Sequence, residues 1–498
     1  MNYYALILQL LPEAVLVVTA LVLLGVAVTT ESRKKRPLSL DVAIAITSLG
    51  IAAAGFALYR CPFTIDCGSA LIVMDPLARL FKCLVLVLGL LAVLLPPARG
   101  EIRHPGEFYA LMLFAITGLM LTVGTNHLLF LFVALELASL SLYLLAGFSG
   151  TARAAEASLK YFLFGGVSAA FLLFGLSLLF GFCPALTLPA MAAALTAGPL
   201  PPFAVAGLVM VVVGLGFKLA AAPFHYWAPD VYQGAPATSV AMVAAASKAV
   251  GVLVMVRVLL FGFEAAGGAA LWGSLKPGWS LWLGVLAAVS MVWGNLLALA
   301  QTSVRRLLAY SAVANTGYLL VALSANGPKA AGTALFYVIV YGLATLGALA
   351  VTAGVERDRG DDSLGSFAGL VHRSPLQAVA LLVFLTSLAG IPPLAGFVGK
   401  FAMFSEALTV SATQSSTGLV WLVGLGAVMS AISFYYYLQV LKQAFVRDAG
   451  DASGPVVLHW AHRLAMLVPA VLVVLLGLFP AWLFGPVARA LEETLRGW

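Results

Sequence analysis

Charge is what this sequence has least of. Only 9% of its 498 residues are Asp, Glu, Lys or Arg, whereas 62% are hydrophobic and the mean hydropathy is +1.05. A soluble chain carries about 25% charged residues, so the composition excludes a soluble globular protein and leaves an all-α integral membrane protein. Cysteine is nearly as scarce. Cys61, Cys67, Cys83 and Cys183 make no paired C-x-x-C sets, which argues against an iron–sulfur, zinc or haem site in this chain. No Gly-rich nucleotide loop of recognised spacing occurs. The net charge of +7 is spread over short loops rather than gathered on one face, so it does not read as a nucleic-acid surface. The opening MNYYALILQLLPEAVL lacks the basic stretch and small-residue cleavage site of a signal peptide, and the first helix is expected to stay.

What is present is a succession of apolar runs, each long enough for a membrane helix of roughly 20 residues. Hydropathy predicts about fourteen spans, near 5–30, 40–59, 76–96, 107–125, 127–148, 157–182 and 202–223, then 236–262, 279–301, 305–325, 330–354, 375–407, 416–443 and 462–485. The ending RALEETLRGW reads as a short amphipathic tail. Loops after odd-numbered spans hold Arg33, Lys34, Lys35, Arg36, Arg99, Arg103, Arg153, Lys160, Arg305, Arg306, Arg357, Arg359, Arg373, Lys442, Arg447 and Arg463. Loops after even-numbered spans, with the tail, hold only Arg60, Lys276, Lys329, Arg489 and Arg496. By the positive-inside rule the odd loops are cytoplasmic and both termini face outward. Cys61 and Cys67 then sit on the oxidising side, as a small disulfide or as two thiols, while Cys83 and Cys183 read as core or interface residues.

One stretch departs from plain hydrocarbon sequence. From Gly214 to Gly251, two lysines, Lys218 and Lys248, flank a cluster of Pro223, His225, Trp227, Pro229, Asp230, Gly234 and Pro236. A proline inside a helix removes a backbone hydrogen bond, and such a break survives in hydrocarbon only where protein or a watery cavity surrounds it. A second break, Pro392-Pro393 with Gly396, interrupts span twelve just before Lys400. Spans seven and twelve thus each pair a proline break with a lysine, as two five-helix repeats with one discontinuous helix apiece would. The expected organisation is one membrane domain over 1–498: helices one to three at about 1–98, repeat one at about 105–262, repeat two at about 278–446, and helix fourteen with the tail at about 460–498.

A charge at the bilayer centre costs about 2.5–3.5 kcal/mol, and ionisable residues held there are functional by default. Glu136 falls near the middle of span five, and Lys218 is its natural ion-pair partner. Making or breaking such a pair switches an amine between holding and releasing a proton; the alternative is a static pair that fixes helix register. Lys248 lies among Ala and Ser in VAAASKAVG, too deep to snorkel. Lys400 invites the same reading. His225 either relays protons or bonds a freed carbonyl at the break. Lys160, with Glu156 at the start of span six, is either a relay or a snorkelling cation. Arg257 has no assigned role, and Glu406 carries protons or faces interfacial water. Pro12 with Glu13, and Asp75 with Pro76, read as helix starts. Tyr3, Tyr4, Trp279 and Trp282 read as an interfacial belt, and Glu356 to Ser363 (ERDRGDDS) as a solvated cytoplasmic loop.

The stretches FKLAAAPFHYWAPDVYQGAPATSVAMVAAASKAVG, SVRRLLAYSAVANTGYLL and SLAGIPPLAGFVGKF resemble the antiporter-like membrane subunits of respiratory complex I. The LLPE start, VALELASLSLYLLAGF and ASLKYFLFG are most similar to the subunit N branch. The resemblance covers essentially the whole chain. It implies inverted repeats over spans four to eight and nine to thirteen, with spans seven and twelve broken. It implies a proton-channel glutamate at Glu136 with partner Lys218, a central lysine at Lys248 and an exit-side lysine at Lys400. It also places a span-six lysine at Lys160 and a histidine at His225. Asn315 stands where many relatives carry histidine, which leaves it out of the implied proton path in favour of water or Tyr310. The implied parent is a proton-translocating NADH:quinone oxidoreductase in a bacterial inner membrane. NADH, FMN, Fe–S clusters and quinone are expected in partner subunits and no cofactor or metal in this one. Rival readings are a subunit of a multi-subunit cation/proton antiporter, a related membrane-bound hydrogenase or dehydrogenase, and a structural scaffold whose buried charges only pin helices.

Overall fold

The computed structural model describes the chain except residues 1–2, 35, 62–70, 96, 98–100, 197, 199, 272–274, 414–418, 449–457 and 498. Its helices are α1 (Tyr3–Lys34), α2 (Leu40–Arg60), α3 (Pro76–Val93), α4 (Pro105–Val123), α5 (Leu128–Ala146), α6 (Ala152–Phe182) and α7 (Leu188–Thr196). Then come α8 (Pro202–Lys218), the short α9 (Ala228–Gly234) and α10 (Ala237–Ala241), and α11 (Lys248–Val256). Two π turns, Met242–Ser247 and Arg257–Gly262, flank α11 and join it to α10 as one apolar segment. The chain continues through α12 (Trp279–Leu299), α13 (Val304–Ser324), α14 (Pro328–Arg359), α15 (Leu370–Arg373), α16 (Pro375–Ala389), α17 (Ala395–Thr413), α18 (Val420–Val446), α19 (Trp460–Leu478) and α20 (Ala481–Arg496). Among the described residues there is no β-strand, only isolated bridges.

Among the described residues, twelve helical segments are long and apolar enough to cross a membrane, and α8 and α16 are shorter apolar helices. The helix stops have local causes. Asp75 caps α3 by accepting from Ala78 N at 2.6 Å, with Pro76 next, as the sequence predicts. The matching expectation for Pro12 and Glu13 is overturned. Pro12 lies inside α1, and Glu13 is buried against another helix. Membrane helices tolerate such a proline because neighbours re-satisfy the freed backbone. The C-terminal helix also begins earlier than the predicted tail, at Ala481.

The chain forms two compact units: Met1–Leu215 with Gly234–Ala265 and Arg489–Trp498, and Gly216–Gln233 with Ala266–Ala488. At the centre of the first is the segment Ala237–Gly262, buried along its whole apolar window; α14 has that position in the second. Small residues let the helices close up. In the second unit a Cβ added at Gly317 would stand 2.7 Å from Met291 N, so α12 and α13 touch backbone to backbone there. Around these centres the outer helices expose large apolar side chains, among them Leu49 at 71%, Phe56 at 65% and Phe401 at 63%, as lipid-facing or partner-facing helices do.

Two surface expectations change. Trp279 is only 2% exposed, so it packs inside the second unit instead of lying in an interfacial belt, whereas Trp282 is half-buried. The side chains of Tyr3 and Tyr4 lie outside the described residues. The loop from Glu356 to Ser363 is not simply solvated: Glu356 pairs with Arg305, Asp358 with Arg373 at 2.6 Å, and buried Asp362 accepts from Ser303 Oγ at 2.5 Å. Cys67 also lies outside the described residues. Cys61 is buried with Sγ 3.5 Å from Leu8 O, Cys183 is buried, and Cys83 is exposed on α3.

Candidate functional site

In the second unit the chain leaves helix at Lys218, which ends α8, and turns through 219–227 before α9. Ala220 takes a positive φ of 54° and the Ala222–Pro223 bond is cis. Groups that a continuous helix would have paired find partners elsewhere. Ala222 N donates to Ser290 Oγ at 2.9 Å, and Leu219 O accepts from Thr316 Oγ1 at 2.6 Å. This is irregular backbone kept at depth by side-chain donors and acceptors. Lys218 is half-buried at the lip of the turn. His225 is 1% exposed, stacks on Tyr226 with centroids 4.7 Å apart, and lies near Trp293 and Tyr310. Its Nδ1 is buried without a hydrogen-bond partner. Arg306 ties α9 to α13 through Asp230 at 2.6 Å.

The second interruption separates α16 from α17. Gly390 ends α16 at φ 88°, a left-handed turn that glycine takes without strain, and the Pro392–Pro393 bond is cis. Lys400, on α17 and 4% exposed, reaches back to the end of α16. Its Nζ donates to Leu388 O at 2.8 Å, Ala389 O at 3.2 Å and Ser430 Oγ at 3.3 Å, and sits 4.7 Å from the Tyr318 ring centroid. The last carbonyls of a helix form the negative end of its dipole. Three acceptors match the three hydrogens of an ammonium; a neutral amine offers only two.

From this lysine a hydroxyl and amide network runs through the unit. Asn295 Nδ2 donates to Tyr318 Oη at 3.2 Å, and Tyr436 Oη donates to Asn295 Oδ1 at 3.1 Å. The Tyr436 and Tyr437 rings are 4.5 Å apart, and Tyr437 Oη bonds Ser311 Oγ. Asn315 Nδ2 donates to Ser311 O at 2.8 Å, and Tyr337 Oη donates to Asn315 Oδ1 at 2.5 Å. Asn315, set aside in the sequence reading, is a member of this network.

In the first unit, Lys248 is 3% exposed where the first π turn meets α11, surrounded along the chain by Ala244, Ala245, Ala246 and Ser247. Glu136 is mid-helix in α5 and half-buried. Lys160 is also half-buried, and its Nζ lies 2.7 Å from Glu156 Oε1, one turn away on the same helix. Exposed i,i+4 pairs of this kind contribute only about 0.3–0.5 kcal/mol. Glu136 and Lys160 belong to the first unit, and Lys218, His225 and Lys400 to the second. Glu406 is half-buried on α17, a helix that also exposes Phe401 and Leu408.

Residues 125–431 match the family described as NADH:quinone oxidoreductase/Mrp antiporter, TM. The NADH-quinone oxidoreductase subunit N 2 of Acidobacterium capsulatum is 42% identical over 491 residues, covering 96% of this chain and 98% of that one. The chain belongs to this membrane-subunit family. Among solved structures, a chain of respiratory complex I from Thermus thermophilus with bound aureothin superposes with a TM-score of 0.78 at 34% identity, over 95% of this chain and 98% of that one. A chain of the Mrp complex from a Dietzia species superposes with a TM-score of 0.82 at 21% identity, over 99% and 98% of the two chains, a likeness of fold alone.

The sequence reading missed two buried ion pairs of the first unit. Lys82 Nζ lies 2.6 Å from Glu13 Oε1, and Arg257 Nη2 lies 2.7 Å from Asp75 Oδ1. Arg257 Nη1 also donates to Asn126 Oδ1 at 2.9 Å, which gives that arginine a setting the sequence did not reveal. A membrane-depth lysine inside span three was the available signal, and Lys82 is one. The π turns on either side of α11 were missed too, although such turns gather at functional sites.

Proposed function

We propose that this chain is the proton-translocating membrane-arm subunit of an NADH:quinone oxidoreductase, working beside other membrane-arm subunits. The observation that carries the reading is the burial of an amine within each unit, Lys248 at 3% and Lys400 at 4% exposure, in a member of this family. Nothing in hydrocarbon rewards a buried lysine except a partner or a task. At Lys400 the partners are carbonyls and a hydroxyl, acceptors that hold an ammonium and can release its proton without breaking a fixed ion pair.

Twelve continuous segments with α8 and the α16–α17 pair as two interrupted crossings make fourteen, arranged as two five-helix repeats around the breaks. Both termini face outward in a bacterial inner membrane, as the loop lysines and arginines favour. Protons enter from the cytoplasm near Lys160, His225 and the first break, load Lys218 and Lys248, and leave by way of Lys400. The hydroxyl network from Tyr337 to Tyr318 supports this route, because hydroxyls donate and accept in turn. NADH, FMN, Fe–S clusters and quinone belong to partner subunits; this chain supplies the path and no electron carrier.

Lys218→Ala in the assembled complex tests the reading. Quinone reduction linked to pumping should be lost. Near-normal turnover with full proton yield would overturn it.

A further inference from the structure

Buried charge in the first unit extends beyond Glu136 and Lys248. Asp75 Oδ1 accepts from Ala78 N at 2.6 Å and from Arg257 Nη2 at 2.7 Å, and Arg257 also holds Asn126. Further along α3, Lys82 meets Glu13, and none of the four charged side chains is more than 4% exposed. The step from Asp75 to Lys82 is roughly 10 Å at the helical rise per residue. Residues 124–126 border both pairs, Gly124 beside Lys82 and Asn126 on Arg257. Val73 N donates to Gly124 O at 2.9 Å, and a Cβ at Gly124 would stand 3.0 Å from Lys82 Nζ.

Two further features separate this cluster from a static pin. Asp75 Oδ2, Arg257 Nε and Glu13 Oε2 are buried with no hydrogen-bond partner. Each such atom is desolvated with no hydrogen bond to offset the loss, which a purely structural cluster would be better without. Beside them a cavity of about 200 Å³, lined by Asp75, Asn126, Glu493, Thr494 and Gly497, reaches the pair from the C-terminal end of the chain. At about 30 Å³ per molecule it has room for several waters. Leu77 N donates to Thr494 Oγ1 at 3.3 Å, so the end of α20 is tied to the start of α3 at the cavity wall. Arg257 opens a π turn on the same segment that carries Lys248, and α3 packs against the other π turn, just before Lys248.

We propose that Asp75, Arg257 and Asn126, with Glu13 and Lys82 behind them, form a proton-release site of the first unit, opening through this cavity on the side of the C-terminus. The proposal rests on the proton-translocation reading above and adds to the exit by way of Lys400 a second one, for protons held in the first unit. The Lys82 N–H bond breaks and an O–H bond forms on Glu13, which neutralises both partners. Water carries that proton from Glu13 to Asp75 Oδ2, and Asp75 passes it to water in the cavity and becomes a carboxylate again. Arg257 stays protonated throughout and holds the carboxylate in place. Lys82 regains its proton from the interior of the unit, where α3 borders the Lys248 segment.

Asp75→Asn in the whole complex, reconstituted in liposomes, tests this. Asparagine keeps the cap on α3 and an acceptor for Arg257 but carries no proton. Coupled quinone reduction should fall at least tenfold with the complex assembled, recover several-fold on adding formate or azide, and show an increased solvent deuterium isotope effect. Unchanged turnover and proton yield would overturn the proposal, and so would a loss that weak acids do not relieve and that leaves the isotope effect unchanged. If Asp75→Asn fails to assemble, Glu13→Gln carries the test through rate and isotope effect, with the same two outcomes. Lys218→Ala, measured alongside, keeps the two readings apart. Normal pumping there sinks translocation by this chain; loss there with Asp75→Asn and Glu13→Gln unaffected sinks only the release site.

Discussion

Lys400 meets three acceptors with the three hydrogens of its ammonium, and that match separates charge from proton release experimentally. Lys400→Met removes the lysine donor from the Leu388 and Ala389 carbonyls and leaves Ala389 O only Ser430 Oγ at 3.4 Å. We expect the assembled complex to lose about 1–3 kcal/mol in thermal inactivation and at least tenfold in coupled quinone reduction. Lys400→Arg restores a cation that does not deprotonate, so it should recover much of the stability and little of the turnover. Equal recovery of both would mean the site needs only a charge. Lys160→Ala should slow turnover less than Lys400→Met, because the ammonium at this entry point is already half in the open with Glu156, where water can take over its part. Single lysines such as Lys248 and Lys400 were legible because one charge in an apolar run is a local signal. Lys82 gives the same signal inside span three and was passed over; Glu13 was not legible, because it is explained only by a partner on another helix and the proline before it imitated a helix start.

The two interruptions are held by side chains from other helices, so their stability can be tested at a distance from any lysine. Ser290→Ala removes the partner of Ala222 N and leaves a buried N–H unmet. It should cost about 1–3 kcal/mol, seen as a lower inactivation temperature of the complex. Gly390→Ala forces a side chain into φ 88° and brings a Cβ to 3.1 Å from Lys400 Cδ. It should cost about 1 kcal/mol or more and depress turnover as well, through the displaced lysine. Normal turnover in Gly390→Ala would show that Lys400 tolerates displacement. Both interruptions could be read from proline and glycine, residues whose backbone effect is local. The π turns could not, since they leave no mark on hydrophobic spacing. Nor could the ties from Glu356, Asp358 and Asp362, whose partners are brought near only by folding.

Over the whole molecule, each unit encloses a helix segment buried along its apolar length, and buried amines lie in both: Lys82 and Lys248 in the first, Lys400 in the second. The outer helices leave apolar side chains exposed for lipid or for neighbouring subunits. Leu163→Lys on the exposed face of α6, where leucine is 55% exposed, should cost about 2.5–3.5 kcal/mol of insertion and lower the amount of assembled complex. A normal yield would place that face in water. Membrane class and the all-helical build were legible from composition and hydropathy, because both follow from long apolar runs, whereas the pairing of particular helices was not, because it depends on contacts made only on folding. The most direct measurement is the number of protons moved per quinone reduced by the reconstituted complex carrying Lys248→Ala. If buried amines carry the protons, the complex assembles, quinone reduction falls at least tenfold and pumping is lost with it. Full turnover with an unchanged proton yield would mean that Lys248 does no more than hold helices together.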